Sequence, residues 1–195
     1  VVWSVPVFAA ESSLAAEESL LDIVRPYVHN VDEAVSRGAF SHMLVKAANL
    51  PHKDTEKSKT LPPDLGDAWY KDSVLILWEK DIMKGAPDGK VYPDNPVTVR
   101  EAKALVARTL GVPDQVIFEA EGTAGSGLDR ELYSFVRQYF EDDDKSRISV
   151  KKAAEILSDI FGVDEEAEEI ILKNQEATGS AKSFRASGAI EAELV

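Results

Sequence analysis

The sequence predicts an all-α protein of three helix-loop-helix units, and two observations carry that reading. One segment occurs three times: a β-branched residue, a Ser or Thr, three polar or small residues, then an apolar face at i, i+3, i+4 spacing. Ahead of each copy runs a second stretch with apolar residues at helical spacing, and no convincing sheet pattern lies among them.

In chain order, the first unit offers Leu20, Leu21, Ile23, Val24, Tyr27 and Val28 as one helix face, followed by Val35-Ser36-Arg37-Gly38-Ala39-Phe40 with Met43, Leu44, Ala47 and Ala48. The second offers Trp69, Val74, Leu75, Leu77, Trp78 and Ile82, then Val97-Thr98-Val99-Arg100-Glu101 with Ala102, Leu105, Val106, Thr109 and Leu110. The third offers Leu128, Leu132, Phe135, Val136, Tyr139 and Phe140, then Ile148-Ser149-Val150-Lys151-Lys152-Ala153 with Ile156, Leu157, Ile160 and Phe161. The middle copy has the clearest punctuation. Asp88-Gly89 supplies a tight turn, Pro93 and Pro96 keep the chain extended, and Thr98 followed three residues later by Glu101 forms a capping box. Gly111 and Pro113 stop that helix. Units this small cannot each bury an apolar face alone, so Met43, Leu44, Leu105, Val106, Ile156 and Leu157 are expected in one shared core.

The two ends read differently from the middle. Residues 1–10 read as a signal-peptide remnant: an apolar run in which Val7 and Ala9 would occupy the −3 and −1 positions of a processing site. A buried N-terminal strand is the other reading. Residues 175–195 combine a polar linker with Phe184, Ala186, Gly188, Ile190, Ala192 and Leu194 alternating with polar residues, a strand period that would open a further, β-rich domain. A disordered tail is its alternative.

Composition narrows the function classes. The chain has 195 residues, 44% of them hydrophobic, and 35 Asp plus Glu against 22 Lys plus Arg, a net charge of −13. Nucleic acid is therefore not an expected partner of the chain as a whole. The absence of cysteine removes disulfides, thiolate metal sites and thiol nucleophiles. No stretch reaches the ~18 apolar residues of a membrane span. His29, His42 and His52 lack metal-ligand spacing, and the acidic run from Glu141 to Asp144 lacks the glycine and the final glutamate of a calcium loop, so neither metal nor cofactor is expected. No nucleophile elbow, P-loop, dinucleotide fingerprint or zinc pair appears, and an enzyme is not expected.

The middle unit closely resembles the S-layer homology domain in Asp67-Ala68-Trp69, Gly85-Ala86-Pro87-Asp88-Gly89 and Pro96-Val97-Thr98-Val99-Arg100-Glu101. The first unit keeps only the second half of that pattern, with Ser36-Arg37 intact, and the third lacks both the tryptophan and the Pro-Asp-Gly loop. The resemblance implies repeats at residues 11–52, 53–113 and 114–174 arranged as a pseudo-threefold prism. It also implies an exported module of the Gram-positive cell wall that binds anionic, often pyruvylated, secondary polysaccharide without covalent attachment. Candidate ligand residues on this basis are Arg37, Ser36, Trp69, Gly85, Thr98 and Arg100. A ligand carboxylate suits an arginine fork and helix-start amides, and a sugar ring suits an aromatic face. Trp69 reads equally as groove wall or core filler, whereas Trp78 reads as core. Aligned on the caps, Arg37 holds the motif arginine, while Val99 and Val150 replace it in the other units. One residue turns a helical side chain by about 100°, so Arg100 is expected to sit away from the groove of its unit. The competing expectation is a retained scaffold that binds no glycan and packs on a downstream domain or protein partner.

Overall fold

The computed structural model describes residues 7–51, 60–118, 125–140 and 143–162. The all-α expectation holds. The elements are α1 (Val7–Val24), a 3₁₀ turn (Arg25–Tyr27), α2 (Arg37–Ala47), α3 (Lys71–Glu79), α4 (Val99–Thr109), α5 (Asp114–Phe118), α6 (Gly127–Arg137) and α7 (Val150–Phe161), with no strand among the described residues. Among those residues no helix is long and apolar enough to cross a membrane. The expected C-terminal strand lies outside the described residues, as do residues 1–6 of the expected signal remnant, and α1 begins at Val7.

Local chemistry sets the helix starts. Ser36, Thr98 and Ser149 have extended backbones, and their hydroxyls accept the amides of Ala39, Glu101 and Lys152. The capping box read from sequence is formed: Glu101 Oε2 accepts the Thr98 amide at 2.9 Å. Two features were not anticipated, the short helix α5 and a second capping box made by Ser126 and Asp129. The first helix is also shorter than its apolar face suggested. Pro26 has no amide to continue the ladder, so the chain tightens into the 3₁₀ turn and Tyr27 points outward, 55% exposed.

The three helix starts are joined to one another. Each gives its first two amides to carbonyls of another unit, in one register. Arg37 and Gly38 donate to Asn95 and Pro93, Val99 and Arg100 to Ser146 and Asp144, and Val150 and Lys151 to Glu33 and Val31. Single antiparallel bridges pair Ser36 with Pro96, Thr98 with Arg147, and Ser149 with Ala34. The β-branched residue before each cap, Val35, Val97 or Ile148, is buried at this junction, where extended backbone suits it. Along the helices, α3 packs on α2, α6 on α4, and α1 on α7, so each first helix rests on the second helix of another unit. One continuous core results, and it contains Met43, Leu44, Leu105, Val106, Ile156 and Leu157, as expected.

Candidate binding groove

The joint between the first two units opens into a cavity of about 500 Å³. Its walls are the start of α2, the loop from Lys84 to Pro96, the outer face of α4 and the end of α5. The loop is held in shape by carboxylates. Asp64 accepts the amides of Val91 at 3.1 Å and Tyr92 at 2.7 Å, and Asp88 accepts the Lys90 amide at 3.1 Å and the Tyr92 hydroxyl at 2.5 Å. Gly89 takes the turn at φ +79°. Gly85 is fitted against the Trp78 ring: a Cβ there would lie 3.2 Å from both that ring and the Lys90 carbonyl. Tyr92 has φ +49°, a left-handed backbone that costs a bulky residue about 1–3 kcal/mol and persists because the Asp64 and Asp88 bonds fix both its ends.

Five cations line this cavity, Arg37, Lys84, Lys90, Arg100 and Arg108, and Glu101 is its one lining carboxylate. Arg37 is only 12% exposed; its Nε donates to the Val91 carbonyl at 2.9 Å and one terminal nitrogen to Glu101 Oε1 at 2.6 Å. Glu101 therefore serves its own cap with one oxygen and the neighbouring unit with the other. Arg108 Nε bonds Asp114 at 2.7 Å, and Lys84 pairs with the same carboxylate. Burial pushes the Asp114 carboxyl up, but the hydrogen bonds from Arg108 and Lys84 bring it below the usual carboxylate range. At the rim, the guanidinium carbons of Arg100 and Arg108 each lie 5.4 Å from the Phe118 ring centre, and Lys90 Nζ lies 5.8 Å from that of Tyr92.

Of the residues anticipated from sequence, the cavity brings together Arg37, Gly85, Thr98 and Arg100 but neither Ser36 nor Trp69. Ser36 caps α2. Trp69 is stacked on Tyr27, centroids 4.1 Å apart and planes 7° apart, with His42 and Tyr70 against it edge-on. Arg100 differs from expectation in the other direction, because the cavity lies between units and α4 presents its first turn to the same space that Arg37 enters from α2. The leading amides of α2 and α4, expected to meet a ligand carboxylate, are bonded to neighbouring carbonyls instead. Val99 and Val150, at the positions matching Arg37, are buried. Sequence reasoning missed Lys84, Lys90, Tyr92, Arg108 and Phe118. The two lysines bracket the Gly85–Gly89 turn and were open to detection; Phe118 carried no periodic signal.

The S-layer homology domain family matches residues 64–102. The chain is 30% identical over 90 residues to the Middle cell wall protein of Brevibacillus brevis (strain 47), a match covering 45% of this chain and 8% of that protein. It is 29% identical over 87 residues to the Surface layer protein of Brevibacillus choshinensis, covering 44% of this chain and again 8% of the relative. The match therefore spans a small fraction of the length of these curated relatives. The residues that match the S-layer homology domain, 64–102, supply the loop and the start of α4 that form one wall of the groove.

Proposed function

We propose that this chain is a non-catalytic module that holds an exported protein at the cell surface by binding an anionic secondary cell-wall polysaccharide in the groove between its first two units. The observation that carries the reading is electrostatic: a chain of net charge −13 lines one cavity with five cations and a single carboxylate. Such a site attracts an anion that the rest of the surface repels. The domain at residues 64–102 and the cell-wall and surface-layer names of the relatives support the same location. Residues 11–52, 53–113 and 114–174 are on this reading three repeats around a pseudo-threefold axis, supported by the shared register of the bonds joining their helix starts.

Co-sedimentation with purified Gram-positive wall, with and without its secondary polysaccharide, tests the proposal. Retention should require the polysaccharide and weaken as salt rises. Equal retention on stripped wall would sink it. A second reading, a scaffold without glycan binding, is favoured by one observation: Arg37 spends its guanidinium on Glu101 and Val91 of the neighbouring unit. That reading expects no retention from a chain that still unfolds cooperatively.

A further inference from the structure

A cation already paired with a carboxylate must give up that partner to serve a ligand, whereas a cation over an aromatic ring keeps its charge. The five groove cations divide by whether a carboxylate holds them, Arg108 having both a carboxylate partner and the Phe118 ring. Arg37 is bonded to Glu101 and the Val91 carbonyl, Lys84 to Asp114, and Arg108 to Asp114 and the Ile82 carbonyl. Arg100 and Lys90 are exposed, make no close ion pair among the described residues, lie over Phe118 and Tyr92, and have Asp144 and Asp88 as their charged neighbours at longer range. Both rings are themselves open to solvent, 45% and 41% exposed. Taking the groove as the glycan site, we infer that Arg100 and Lys90 bind the acidic group of the ligand, that Phe118 and Tyr92 position them, and that Arg37 is a latch between units. Each pair sets a charge beside an apolar ring, which matches an acidic sugar whose carboxylate adjoins a C–H face. The left-handed backbone of Tyr92 agrees with this assignment, since strain is retained where a side chain must be held in place.

The test measures binding of the full chain to purified acidic wall polysaccharide and to the same polymer with its carboxylates reduced to alcohols. Arg100→Ala and Lys90→Ala should each weaken binding to the native polymer about tenfold, the usual scale for a lost charged hydrogen bond. Lys145→Ala, which removes the same charge from a residue that does not line the groove, should leave binding nearly unchanged. Phe118→Leu should weaken binding with the melting temperature unchanged, while Phe118→Tyr should bind normally, a split between binding and stability that loss of packing alone does not give. Arg37→Lys should lower the melting temperature, as a latch between units would, and should weaken binding less than Arg100→Ala does. The reduced polymer should bind weakly and no longer distinguish Arg100→Ala from the unaltered chain. Normal binding by Arg100→Ala or by Lys90→Ala overturns the inference and, if the unaltered chain binds, leaves the proposed function standing. If the unaltered chain binds neither polymer, the proposed function falls and the inference falls with it.

Discussion

The starts of α2 and α4 share one backbone scheme and assign its side chains in opposite ways. Both have a hydroxyl cap and both donate their first two amides to the next unit. At α2 the first helical residue is Arg37, whose head crosses the joint, and the second is Gly38, over which the Tyr70 ring lies. At α4 the first is Val99, buried, and the second is Arg100, exposed in the groove. The first position thus faces the joint, whereas the second faces a neighbouring ring in one unit and open cavity in the other. A cation moved by one residue passes from mortar to surface, so a motif position cannot be assigned a role until its neighbours are known.

Substitutions that exchange the two assignments give the largest effects. Val99→Arg gives the start of α4 the Thr-Arg order that Ser36-Arg37 has at α2 but places a charge at a position only 4% exposed; it should cost about 3 kcal/mol in denaturant unfolding. A fully stable variant would mean that the first position of α4 opens as readily as that of α2. Gly38→Ala sets a Cβ 2.7 Å from the Tyr70 ring and should cost about 2 kcal/mol, while Arg100→Ala at the equivalent place should change stability by less than about 0.5 kcal/mol. Equal costs for the two would erase the distinction. Thr98→Ala and Ser36→Ala should each cost about 1 kcal/mol, because the shared part of the scheme is the cap. Thermal midpoints of the two variants, measured side by side, check that parity.

The smallest effect concerns pH. Lys103 and Asp144 pair at 2.8 Å beside the start of α4, as Arg37 and Glu101 pair across the joint at α2. The hydrogen bond from Lys103 holds the Asp144 carboxyl below the usual carboxylate range. A depressed carboxyl contributes stability that is present above its unfolded value of about 3.9 and is lost as pH falls through the folded one. Asp144→Asn should therefore flatten the acid limb of the stability curve, by less than about 1 kcal/mol since the carboxylate is 49% exposed. A limb as steep as in the unaltered chain would assign that acid sensitivity elsewhere.

The parts of this fold that could be read from sequence are those decided within one turn of chain. Ser36, Thr98 and Ser149 announce themselves because a cap needs only its own next three residues. The shared core was legible from helical period alone. The groove was not, because its cations come from α2, a loop and α4, and its rim ring comes from α5, a helix too short to show a period. Trp69 read equally as groove wall or core filler because its stacking partner Tyr27 lies 42 residues away, in the turn that holds Pro26. Spacing places residues on a face and is silent about which other face will cover it.

Open arrays of repeats fray from their ends, because a terminal unit has one neighbour and can melt alone. Here the contact of α1 with α7, together with the bonds from Val150 to Glu33 and from Lys151 to Val31, ties the first and last described helices to each other. If the chain is three repeats as proposed, loosening any one opens two joints at once, and calorimetry should record a single unfolding transition in place of a graded one. The same closure sets the order of folding. The joint between the first and last helix starts spans most of the described chain, its loop-closure entropy is the largest of the three, and it is expected to form last, which φ-values near zero for substitutions at Glu33 and Val150 would bear out.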